Sequence, residues 1–88
     1  MAKYSIEIKK SAVKEIEHLP KHELRVILPK IHSLAENPRP HGCEKLSGQD
    51  KHRIRCGDYR ILYTIEDTVL IVCVVKVGHR KDVYRSIC

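Results

Sequence analysis

Eighty-eight residues make one domain with room for a single modest core. The chain carries 17 Lys and Arg against 11 Asp and Glu, a formal charge of +6, and is 42% hydrophobic with neither Phe nor Trp. That composition excludes a disordered acidic chain, and the longest apolar run, residues 69–75, is too short to span a bilayer. The first ten residues hold four charges and no long apolar run, so no signal peptide is expected. The expected setting is cytoplasmic and soluble, with no membrane partner.

Tyr4, Ile6 and Ile8 alternate with Ser5, Glu7 and Lys9, the pattern of a half-buried strand. Ser11 is placed to cap a helix that carries Ala12, Val13, Ile16 and Leu19 on one face and stops at Pro20. Leu24, Ile27, Leu28, Ile31, Leu34 and Ala35 then recur at helical spacing. Pro29 lies inside that stripe, so a kink or a break into two pieces is expected there. Asn37-Pro38-Arg39-Pro40 ends the helix, and a loop runs through Gly42. Residues 46–48 read as a short extended piece or another turn.

Arg53-Ile54-Arg55-Cys56-Gly57-Asp58-Tyr59-Arg60-Ile61-Leu62-Tyr63 reads as a β-hairpin around Gly57-Asp58. Two-residue loops need positive φ, which Gly and Asp tolerate. With that loop, Cys56 faces Tyr59, Arg55 faces Arg60 and Ile54 faces Ile61. Side chains alternate along a strand, so Arg53, Arg55 and Arg60 share one face, while Ile54, Tyr59, Ile61 and Tyr63 share the other. Like charges directly opposite each other are destabilising, and an anionic partner is the simplest reason to stack guanidiniums. No carboxylate has an obvious place on that face.

Glu66-Asp67-Thr68 turns the chain into residues 69–77, apolar at nearly every position and therefore read as a central strand covered on both faces, ended by Gly78. Residues 82–87 are expected to form one weak helical turn. The order β-α-α-β-β-β predicts an α+β domain, a small antiparallel-rich sheet with two N-terminal helices packed on it. Running antiparallel to residues 59–65, the last strand brings its end near Arg60, so Arg53, Arg55, Arg60, His79, Arg80 and Tyr84 are expected to gather in one concave patch.

Charge is concentrated in the same region. Residues 1–50 hold nine Lys and Arg against seven Asp and Glu, whereas residues 51–88 hold eight against four. A basic patch is the footprint of a nucleic-acid binder, or a docking face for an acidic protein. Cys43, Cys56, Cys73 and Cys88 are widely spaced and are expected to be free thiols, with Cys73 in the core. His41 and Cys43 lack the second pair that a zinc site needs, so no metal is expected.

The hairpin segment 53–63, followed by Val77-Gly78-His79-Arg80-Lys81-Asp82-Val83-Tyr84, resembles the RelE toxins of the RelE/ParE superfamily. Leu34-Ala35-Glu36-Asn37-Pro38-Arg39-Pro40 and Lys45-Leu46 are similar to that family as well, so the resemblance covers nearly the whole chain, a single RelE-like toxin domain over residues 1–88. It implies a ribosome-dependent mRNA endoribonuclease of a type II toxin–antitoxin system. Such an enzyme enters the ribosomal A site and lets the ribose 2′-OH attack the adjacent phosphate, leaving a 2′,3′-cyclic phosphate and a 5′-OH without metal or organic cofactor. The family's active positions fall on Arg53, Arg55, Arg60, Arg80 and Tyr84.

In that reading Arg55 and Arg60 stabilise the phosphorane, Arg80 serves the leaving oxygen and Tyr84 stacks on a base or orients the 2′-OH. His79 is an acid or base candidate. Arg53, Lys51, Lys76 and Lys81 hold RNA. The first two family positions are Lys in the best-known member, and Arg is almost never deprotonated, so Arg53 and Arg55 act as cations rather than bases. The implied partners are a RelB-like antitoxin, the ribosomal A site and mRNA, with DNA reached only through the antitoxin complex. Two alternatives share the fold: a ParE-like toxin that binds DNA gyrase without RNase activity, and an inert homologue that acts as co-repressor with its antitoxin.

Overall fold

The computed structural model describes residues 3–46, 48 and 50–79. Arg80, Lys81, Tyr84 and the helical turn expected over 82–87 lie outside the described residues. In chain order the elements are β1 (Ser5–Ile8), α1 (Lys10–Glu17), α2 (Lys21–Ser33), β2 (Glu44–Lys45), β3 (His52–Cys56), β4 (Tyr59–Glu66) and β5 (Ile71–His79). The strands form one sheet in the order β1-β5-β4-β3-β2. β1 runs parallel to β5, and the remaining pairs are antiparallel. The α+β architecture with two helices on one sheet face is the one expected, with one more short strand.

Ala12 from α1, Ile27 and Ile31 from α2, and Leu34 just beyond it pack on Ile54, Cys56, Ile61, Tyr63, Val72, Val74 and Val77. Each of these eleven residues is nearly or fully removed from water. At about 25 cal/mol per Å² of apolar area, such burial is the main force holding helices to sheet. Val13 and Leu28, placed on the apolar stripes by spacing, sit at the stripe edges and are 38% exposed each.

Several local expectations are corrected. Ser11 does not cap α1: Lys9 occupies that position, no side chain caps the helix, and the Lys9 amide donates to the Val74 carbonyl. The sheet edge therefore sets where α1 begins. The helix does not break into two pieces at Pro29: α2 runs through it as one element, with Ile27 and Ile31 anchored in the core on either side of the missing donor. Val69 is exposed in the turn before β5, and Gly78 lies within the strand rather than ending it. Cys43, Cys56 and Cys73 are free thiols, but Cys56 is the buried one and Cys73 is half-buried.

β5 also carries a bulge. Tyr63 pairs with Val74 but Leu62 pairs with Lys76, so Val75 is an extra residue. The slip lets Val72, Val74 and Val77 all reach the core, although 74 and 77 would fall on opposite faces of a regular strand. β5 is thus fully buried on the helix side only; Cys73, Val75 and Lys76 are half-exposed.

The loop after α2 is tied down through Arg39 and Pro38. Asp67 accepts from the Tyr4 hydroxyl at 2.6 Å and from both terminal nitrogens of Arg39 at 3.3 and 3.0 Å. Arg39, then Tyr4, hold the Asp67 carboxyl below the usual carboxylate range. The Tyr63 hydroxyl donates to the Pro38 carbonyl at 2.7 Å, and His52 stacks on the Tyr63 ring with centroids 5.7 Å apart.

Burial, with smaller contributions from the Arg39 and Lys45 cations, pushes the His52 pKa down, and its Nδ1 is buried with no partner among the described residues. The folded state therefore favours the neutral ring. As pH falls through the unfolded value of about 6.5, the unfolded chain takes up the proton first. The stability tied to His52 is complete above that pH and is lost below it. Urea unfolding at a series of pH values should show this slope in the wild type and its disappearance in His52→Phe; an unchanged slope would refute the assignment.

Candidate nucleic-acid interface

The hairpin folds in the register its sequence predicts: Cys56 with Tyr59, Arg55 with Arg60, Ile54 with Ile61. Gly57 adopts φ +63° at the loop, where a side chain would be strained. Ile54, Cys56, Ile61 and Tyr63 point to the helices. By alternation Arg53, Arg55, Arg60 and Leu62 occupy the opposite face.

Two rows of residues cross that face. In one, Arg55 on β3 faces Arg60 on β4, which faces Gly78 on β5. In the other, Glu44 on β2 faces Arg53, which faces Leu62, which faces Lys76. Arg60 is only 5% exposed. One of its terminal nitrogens donates to the Tyr59 carbonyl at 3.3 Å, and its Nε has no partner among the described residues. A buried cation with an unfilled donor is costly unless something else completes it. Arg55 is exposed beside it, and neither Arg55 nor Arg60 has a carboxylate partner among the described residues.

The second row is neutralised at both ends. Glu44 takes Arg53 at 2.9 Å. This corrects the expectation that no carboxylate reaches the face; Glu44 arrives on a two-residue strand that periodicity does not reveal. Lys76, expected to hold RNA, is bonded to Glu15, whose other oxygen accepts from the Val77 amide at 3.1 Å. β1 stops at Ile8, so this stretch of the β5 edge is capped by the Glu15 carboxylate of α1 instead. Among the described residues, the cations of this face without a carboxylate partner are thus Arg55 and Arg60. A pair of guanidiniums so placed suits a phosphate whose charge grows during reaction.

His79 does not join the arginines. It pairs with Tyr59 at a ring separation of 5.8 Å, edge to face, on the core side of the sheet. The bulge at Val75 is the cause: without that extra residue, His79 would alternate onto the arginine face. There it lines a cleft of about 440 Å³ with Lys14, His18, Leu19 and Val77. Lys51 precedes β3, and its carbonyl accepts from the Leu46 amide. Among the described residues, then, the sheet brings together Arg53, Arg55 and Arg60. Glu44 on this face and Glu15 at the β5 edge are the residues that sequence reading missed.

Comparison with known proteins agrees with this architecture. A RelE-type toxin of Methanocaldococcus jannaschii is 28% identical over 96% of this chain and 98% of its own length. The toxin in a RelBE toxin–antitoxin complex from Mycobacterium tuberculosis superposes with a TM-score of 0.81 at 25% identity, covering 91% of this chain and 94% of that one. The isolated RelE toxin of Escherichia coli gives 0.77 at 28% identity, covering 96% and 94%. Residues 6–84 match the family described as the ParE toxin of type II toxin–antitoxin systems, and the chain belongs to that family.

Proposed function

We propose that this toxin is a ribosome-dependent mRNA endoribonuclease of the RelE kind, acting in the cytoplasm on mRNA in the ribosomal A site. The observation that carries the reading is Arg60, buried beside Arg55 with an Nε that has no partner among the described residues. Cleavage by the 2′-OH passes through a phosphorane with more charge than the starting diester, and fixed donors aimed at it lower the barrier. Arg60 and Arg55 fill that role. Arg53 grips a neighbouring phosphate. Arg80 serves the leaving oxygen, Tyr84 stacks on a base or orients the 2′-OH, and Lys51 and Lys81 add phosphate contacts. Lys76, held by Glu15, contributes less than its charge suggests, and His79, on the other face, is not needed for the chemistry.

The partner that restrains the toxin is a RelB-like antitoxin, by analogy with the RelB–RelE complexes to which the fold is similar. Its helix is expected on the outer side of α2. There Val26 is 55% exposed beside a cleft of about 490 Å³ lined also by Pro29, Lys30, Cys56 and Gly57.

The test is cleavage of an mRNA positioned on purified ribosomes, beside the same mRNA free, by wild type and Arg80→Ala. Cuts on the ribosome only, bearing 2′,3′-cyclic phosphate ends and lost in Arg80→Ala, are expected. A ParE-like gyrase poison is the competing reading, favoured by the name of the matching family. Folded, antitoxin-free protein that leaves mRNA intact in both settings but inhibits gyrase supercoiling would establish it instead.

A further inference from the structure

Glu44 stands on the arginine face as the immediate cross-strand neighbour of Arg53, with its carboxylate 2.9 Å from the guanidinium. We propose that Glu44 is a charge brake: it occupies the Arg53 guanidinium in the free toxin and lowers the affinity of the face for polyanions, so that RNA must displace it to reach Arg53. The inference rests on the reading of this face as an RNA site and adds a residue that tunes it.

The two ends of the pair differ in a way that fits such a role. The Arg53 side chain is 13% exposed and is held within the sheet, whereas the Glu44 side chain is 55% exposed on an edge strand of two residues. Carboxylate and phosphate compete for the same guanidinium fork. The exposed carboxylate can rotate into water when a phosphate arrives. Glu15 on the other flank is different, because it is fixed by both Lys76 and the Val77 amide. Glu44 is therefore the displaceable acid of the face.

The test is equilibrium binding of a short, dye-labelled single-stranded RNA to the purified chain over a salt series. It compares wild type, Glu44→Gln, Arg53→Ala, Arg55→Ala and the Glu44→Gln/Arg53→Ala double variant. Glu44→Gln should bind about two- to fivefold tighter at low salt, the range set by an exposed ion pair. It should also steepen the dependence of log K on log salt by up to about 0.7, one further phosphate contact. Both gains should vanish when Arg53 is Ala. Unchanged affinity in Glu44→Gln overturns the proposal, and so does an equal gain with Arg53 absent, which would mean simple removal of negative charge. If neither Arg53→Ala nor Arg55→Ala weakens RNA binding, the RNA reading of the face falls, and the brake with it. Gln matches Glu in shape at an exposed position, so thermal unfolding should be unchanged and the comparison free of folding effects.

Discussion

Arg60→Ala is expected to lower single-turnover cleavage of ribosome-bound mRNA by at least about 10²–10³-fold, the loss typical when one preorganised donor to a developing oxyanion is removed. The side chain is buried near the start of β4, the middle strand of the sheet, so its conformation is fixed before a phosphorane forms. Its effect should exceed that of Arg55→Ala, since Arg55 is exposed and its field is screened by water. It should also differ in kind from Arg53→Ala, which should weaken binding and its salt dependence more than the rate at saturation.

The expected cost of Arg60→Ala in stability is small. Truncation loses the packing of the aliphatic stem, but it also removes a buried cation whose Nε has no partner among the described residues, and with it the repulsion from Arg55 across the hairpin. A change within about 2 kcal/mol is expected by urea unfolding. Arg60→Lys keeps the charge without the planar fork and should recover part of the rate only. Arg60→Ala that folds and cleaves within threefold of wild type would remove Arg60 from the chemistry.

What could be read from the sequence followed from local, strongly constrained patterns. Gly57-Asp58 admits one tight loop, and that loop dictates every pair from Cys56–Tyr59 to Arg53–Leu62. The spacing of Ile27, Ile31 and Leu34 could only serve a helix face, and those residues are in the core. The features that stayed hidden are those with no local signature. Glu44 and Lys45 are both exposed and too few to show alternation, so β2, and with it the acid on the arginine face, was not visible. The bulge at Val75 was masked because Val suits either face of a strand; its consequence is that His79 turns away from the arginines. Glu15 reaches Lys76 across 61 positions of sequence, and Arg39 reaches Asp67 across 28, contacts that only the sheet order creates.

The largest loss of stability is expected at Tyr63. The ring is fully buried in the middle of β4 and stacks on His52. Its hydroxyl donates to the Pro38 carbonyl at 2.7 Å and lies 3.1 Å from the Cys43 sulfur. Tyr63→Ala should cost about 3–5 kcal/mol, as for other large aromatic truncations in cores. A domain of this size has a total stability of about 4–13 kcal/mol, so that loss alone can unfold it. Tyr63→Phe keeps the ring and isolates the hydroxyl: leaving the Pro38 carbonyl without its donor should cost about 1–3 kcal/mol.

Burial, reinforced by Cys43, pushes the phenol well above its ordinary pKa. An unfolded phenol ionises near pH 10, so this contribution is complete below that pH and is lost as pH rises through it; Tyr63→Phe should abolish the alkaline loss. Urea midpoints for both variants, at neutral and alkaline pH, check the two effects together. A Phe variant as stable as wild type would show that the Pro38 bond adds nothing. The effect also reaches the interface. Cys43 directly precedes Glu44, so the hydroxyl that fixes Pro38 and Cys43 fixes the approach of β2 to Arg53. Tyr63→Phe should therefore loosen the Glu44–Arg53 pair and raise RNA affinity in the same direction as Glu44→Gln, by a smaller factor.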